Sequence, residues 1–115
     1  MSKDKILDSE IKQTIEKNLD VAVEVYKEFK ASKKSLDKFT EQFGDVENSY
    51  DFINGYFMGD LQGIAFSTTR LLLGREMNEQ ERKDLVKIVK SKSSEVKNII
   101  EKIKTLDAKG FSKRI

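Results

Sequence analysis

Gly55, Gly59, Gly63 and Ser67 stand four residues apart inside the apolar stretch 52–67, and no other feature constrains the fold as strongly. On an α-helix this spacing sets four small residues in one row. Glycine inside a helix costs about 1 kcal/mol relative to alanine, so three of them cost about 3 kcal/mol. Close approach of another backbone or of a flat ligand would offset that cost. Three occupants are open: a neighbouring helix of the same chain, a second copy of the chain, or a ligand lying in a groove. A membrane span is not indicated, because the apolar run is short and Asp60 interrupts it; a span needs about 20 apolar residues.

The other faces of this helix are apolar as well. Tyr50, Ile53, Phe57, Leu61 and Ile64 make one row, while Phe52, Tyr56, Met58 and Phe66 point elsewhere. A helix apolar nearly all round is surrounded. It is expected to lie at the centre of a bundle, packed on the first and last helices, or to be buried in an oligomer.

The rest of the chain reads as helix. It has no proline, and Asn54-Gly55 falls inside a helical apolar pattern, not between alternating strands. Asp8 or Ser9 can cap a first helix whose stripe is Ile11, Ile15, Leu19, Ala22, Val23, Tyr26 and Phe29. After a break at 31–34, Ser35 can cap a short helix through Leu36, Phe39 and Phe43 that ends at Gly44. Asp45 is the expected cap of the glycine helix, with Glu47 in its first turn and Gly74 ending it. Asn78 and Glu81 form a capping box that starts the last helix. That helix is expected to run unbroken to Leu106, with Leu85, Val89, Lys92, Val96, Ile99, Ile103 and Leu106 along one seam. The predicted fold is all-α: one domain over residues 1–115, an antiparallel bundle of three long helices and one short one. Residues 1–7 and 107–115 are expected to fray.

Composition narrows the chemistry. Without cysteine there is no disulfide, thiolate zinc site or thiol nucleophile, and without histidine the commonest general base and metal ligand are missing. No phosphate loop, dinucleotide fingerprint or nucleophile elbow occurs. Glu47 and Asp51 are four apart, but no second carboxylate set is aimed at the same level of another helix. No catalytic residue, cofactor or metal site is therefore assigned.

Asp60 stands out, because a carboxylate in an apolar run needs a partner. The turn between the two long helices centres near Glu76, which places Asp60 and Lys92 sixteen residues to either side. They are expected at the same height, as an ion pair. Tyr56 and Arg70 could line a groove opened by the glycine row. Lys87, Lys90, Lys97 and Lys104 could contact phosphates, since residues 85–105 carry six lysines against two glutamates. Acidic residues interrupt them, and no nucleic-acid motif accompanies them.

The sequence therefore predicts a small cytoplasmic helical bundle without enzymatic activity. The start of the chain lacks an apolar leader segment. It would act by protein–protein interaction, as a homodimer or as an adaptor for a protein partner, and not in a membrane. Two alternatives stand beside this: a nucleic-acid-associated protein using the lysines of the last helix, and a small-ligand binder or carboxylate enzyme around Asp60.

Overall fold

A computed structural model describes residues 7–28 and 33–108, and all of its regular structure there is helical. The elements are α1 (Ser9–Lys27), α2 (Lys33–Glu41), α3 (Ser49–Leu73), α4 (Glu79–Lys90) and α5 (Ser93–Ala108). The fold is the all-α bundle that the periodicities predict. The expected end of the first helix at Phe29 and part of the expected break, at 31–32, lie outside the described residues, as do 1–6, 109–115 and the expected seam contact of Leu106.

α1 starts where its cap dictates: the Asp8 carboxylate accepts from the Glu10 N–H at 2.9 Å. It buries Ile15, Leu19, Val23 and Tyr26, which recur at three and four residues. The chain before it is not frayed throughout, as expected for 1–7. Leu7 is buried in the core, and its N–H donates to the Asp84 carboxylate at 3.1 Å. At the other end, residues 107–108 still belong to α5.

The cap of α3 is Asn48, not Asp45. The Asn48 side chain accepts from the Asp51 N–H at 3.0 Å. Upstream, Phe43 lies beyond α2, and Gly44 turns the chain with a φ of +114°. Glu47 is therefore outside the helix. α3 ends at Gly74, whose φ of +68° is the left-handed cap that glycine adopts without a Cβ clash.

The last helix is not continuous. α4 and α5 lie along the same two neighbours, α1 and α3, but the helical ladder breaks between them at Ser91–Lys92. The Lys92 N–H reaches back only three residues to Val89, and the Ser91 hydroxyl donates to the Ile88 carbonyl at 2.5 Å. A serine side chain that takes a backbone carbonyl competes with the helical ladder. Apolar spacing carries across such a break, so the seam pattern could not reveal it.

The core is built around α3. Ile53, Phe57, Leu61 and Ala65 meet Ile15, Leu19, Val23 and Tyr26 of α1 and Leu85, Val89, Val96, Ile99, Ile100 and Ile103 of α4 and α5 in one buried cluster. α3 runs antiparallel to α1, where Asn18 bonds Thr68 across the interface at 3.3 Å, and to α5, where Lys104 lies over the Tyr50 ring. α2 covers the start of α3. The Ser49 hydroxyl donates to the Asp37 carboxylate and shares a 3.2 Å bond with Thr40, and Phe39 stacks edge-on against Tyr56.

Candidate functional site

α3 carries two rows of step four. Ser49, Ile53, Phe57, Leu61, Ala65 and Thr69 are all buried. Gly55, Gly59, Gly63 and Ser67 are displaced from that row by two residues, about 200° round the helix at 3.6 residues per turn. They point the opposite way, and all four are exposed. A Cβ added at Gly55, Gly59 or Gly63 would meet nothing within 4 Å outside the helix's own backbone. α3 is therefore not surrounded, as its all-round apolarity suggested. It is central on one side and open on the other, and no described helix of the chain packs on the glycine row.

The open face has substance around it. Tyr56 is 44% exposed and Phe43 52%, with Phe52 half-buried between them. Their rings are joined at 5.2 Å (Phe43–Phe52) and 5.8 Å (Phe43–Tyr56). At the far end, Leu71 is 82% exposed beside a shallow hollow lined by Ser67, Arg70, Leu71, Gly74, Arg75 and Glu76.

The expected Asp60–Lys92 pair does not form. The Tyr26 hydroxyl donates to the Asp60 carboxylate, while the Lys92 ammonium pairs with Asp20 of α1 and lies 3.9 Å from Glu95. Counting from the turn fixes height but not rotation. Asp60 precedes the buried Leu61 by one residue, about 100° round the helix, and so faces α1, not α4 and α5. Asp20, not Asp60, supplies the carboxylate for Lys92. Tyr26 falls on the apolar stripe of α1, and nothing in its spacing announces a hydrogen bond from its hydroxyl to Asp60.

Tyr26 stacks on Phe57 with ring centroids 4.1 Å apart. Burial, and then the hydrogen bond to the Asp60 carboxylate, push the Tyr26 phenol well above the ordinary tyrosine range. Its raised value in the fold means that the neutral phenol contributes stability below about pH 10, the ordinary value. That contribution is lost as pH rises through the folded-state value. Tyr26 is expected to ionise well above the ordinary tyrosine range in a spectrophotometric titration. Tyr26→Phe should remove that late step and cost about 1–2 kcal/mol at neutral pH. A Tyr26 step, identified by its loss in Tyr26→Phe, that falls near pH 10 would contradict this environment.

Tyr56 and Arg70 do not line one groove. Both are exposed on the open side of α3, but fourteen residues separate them, about 21 Å along the axis. Arg70 donates to Glu76 at 3.0 Å. Of the lysines considered for phosphate contact, Lys87, Lys90 and Lys97 are exposed. Lys104 is engaged, 3.5 Å from Glu101 and 5.4 Å above the Tyr50 ring. The break at Ser91–Lys92 further divides the four between two helices.

Among the described residues the most buried charge lies elsewhere, at the α3–α4 turn. Glu81 is 2% exposed and takes both Arg75 guanidinium nitrogens, at 3.0 and 2.8 Å. It also completes the predicted capping box, accepting from the Asn78 N–H at 2.9 Å while its own N–H donates to the Asn78 side chain. The box was legible from its spacing; Arg75 was not, because the connector's path decides which cation reaches it.

No group of three or more His, Cys, Asp or Glu side chains is placed to hold a metal ion among the described residues. No described helix is long and apolar enough to cross a membrane. Comparison with known families, with curated proteins and with solved structures finds no match to this chain.

Proposed function

We propose that this chain acts by protein–protein contact, pairing with a second copy of itself through the open face of α3. The observation that carries the reading is the empty space over the glycines. Nothing in the described chain needs the missing side chains at Gly55, Gly59 and Gly63, yet a helix with three glycines gives up about 3 kcal/mol relative to alanine. An approaching helix needs them: rows of small residues let two backbones come close enough for continuous van der Waals contact. The aromatic rim of Phe43 and Tyr56 and the exposed Leu71 supply apolar area beyond the row itself.

The test is solution mass by light scattering across a range of concentrations, with circular dichroism as the control for folding. The native chain is expected to be dimeric at high concentration and to dissociate on dilution. Gly59→Leu, which fills the row without touching the core, is expected to stay helical and monomeric. A native chain that is monomeric throughout, or a Gly59→Leu variant that dimerises as the native chain does, overturns the reading.

A further inference from the structure

Resting on that reading, we infer that the two copies pair antiparallel, about a two-fold axis passing beside Leu61. The row of small residues does not by itself choose between parallel and antiparallel partners. The side chains flanking it do.

α3 is electrically divided. No lysine or arginine occurs in residues 41–60; Asp51 lies in the first turn of the helix, and Glu47 just before its cap. No acid occurs between Asp60 and Glu76, and Arg70 lies near the end. Asp51 and Arg70 are both exposed, and Asp51 continues the step-four row of the glycines at its N-terminal end. Parallel pairing would set Asp51 beside Asp51 and Arg70 beside Arg70. Antiparallel pairing sets each Asp51 near the partner's Arg70, the favourable arrangement at both ends. The helix dipoles oppose one another in the same arrangement.

The centre of this exchange coincides with the centre of the small row. Gly59 and Gly63 are two residues from Leu61 on either side, and Gly55 and Ser67 are six. Asp51 is ten residues before Leu61 and Arg70 nine after it. Tyr56 and Phe66 are each five away, so an axis at Leu61 sets one aromatic ring near another. Phe52 and Arg70 are each nine away, which places a guanidinium near an aromatic ring. A two-fold axis requires this kind of self-complementary face: whatever residue i meets must meet residue i in return.

The ends of the face fit the same register. The shallow hollow at the C-terminal end of α3, lined by Ser67, Arg70, Leu71, Gly74, Arg75 and Glu76, falls opposite the partner's residues 46–55. That segment carries Asp51 and Phe52. Arg75 is already held by Glu81, and it is Arg70 that can change partner. Its bond to Glu76 joins two exposed groups, and exposed ion pairs of this kind hold weakly. Rows of step four run obliquely to the helix axis, so overlaying two of them crosses the helices at about 50°. The contact is then tightest at Gly59 and Gly63, and the outer positions are bridged by long side chains such as Arg70.

The chain contains no cysteine, so single cysteines report the register cleanly. Gly55→Cys and Ser67→Cys proteins are made separately and mixed, then treated with a short bis-maleimide, and the linked peptides are identified by mass spectrometry. Antiparallel pairing predicts a 55-to-67 link in the mixture and little linking of either variant alone. In an antiparallel pair the two copies of position 55 lie about 18 Å apart along the axis, outside short-linker reach. In parallel, Asp51→Arg and Arg70→Asp are each expected to weaken self-association about tenfold. The double variant, in which the two charges are exchanged, should restore it. Circular dichroism of each variant confirms folding. Self-linking of Gly55→Cys with a dimeric mass, or a double variant no tighter than the single ones, overturns the antiparallel register and leaves the dimer standing. A chain that stays monomeric overturns both.

Discussion

The triple variant Gly55→Ala, Gly59→Ala, Gly63→Ala is expected to be more stable than the native chain when both are dilute enough to be monomeric. The gain should be about 2–3 kcal/mol, the summed helix-propensity difference. It appears as a higher urea midpoint, by about 1–2 M, with an unchanged slope. The expectation follows from the open space at all three positions, because the added methyl groups meet no neighbour. As concentration rises the advantage should shrink. Dimerisation stabilises the native chain by mass action, whereas the methyl groups hold two facing helices apart. A triple variant less stable than the native chain at high dilution would mean that the glycines serve the monomer's own fold, and the interaction face would lose its main support.

Glu81→Ala is expected to act in the opposite direction, lowering stability by about 3 kcal/mol. The carboxylate is 2% exposed and accepts from both Arg75 nitrogens and the Asn78 N–H. Removing it strips the α3–α4 turn of its ion pair and the first turn of α4 of its capping box in one step. For a chain of this size the melting temperature should fall by about 10–20 °C. Glu81→Gln keeps an acceptor for Asn78 but not the charge for Arg75, and should fall between the two. A loss below about 1 kcal/mol for Glu81→Ala would show that the turn is held by its packing, with Met77 buried beside it, and not by this carboxylate.

These two sites differ in how far the sequence disclosed them. Asn78-x-x-Glu81 is a local pattern: the two side chains satisfy each other's backbone within one turn, so spacing alone predicts the box, and the structure contains it. Gly74 as the end of α3 was legible for the same reason, and so was the start of α1, where Asp8 is the cap of the two candidates Asp8 and Ser9. The glycine row was equally plain, but what lay against it was not. Its direction could have been inferred from the row two residues away. If Ile53, Phe57 and Leu61 face the core, then Gly55, Gly59 and Gly63 face outward at about 200°. The apolar flanks at Tyr56 and Phe66 obscured that, since they made the helix look buried on every side.

Local periodicity and capping chemistry, written in neighbouring residues, determined the all-helical class, the main helices and the caps at Asp8, Gly74 and Asn78. Tertiary structure decided the partners. Whether Asp60 meets Lys92 or Tyr26 depends on the rotation of α3 about its axis, which brings its side to α1. Whether Glu81 meets Arg75 depends on the path of the connector between α3 and α4. The break at Ser91–Lys92, where the Ser91 hydroxyl bonds the Ile88 carbonyl, leaves no trace in the apolar spacing. Spacing fixes height along a helix, whereas a contact needs height, rotation and a neighbour together, and packing alone supplies the last two.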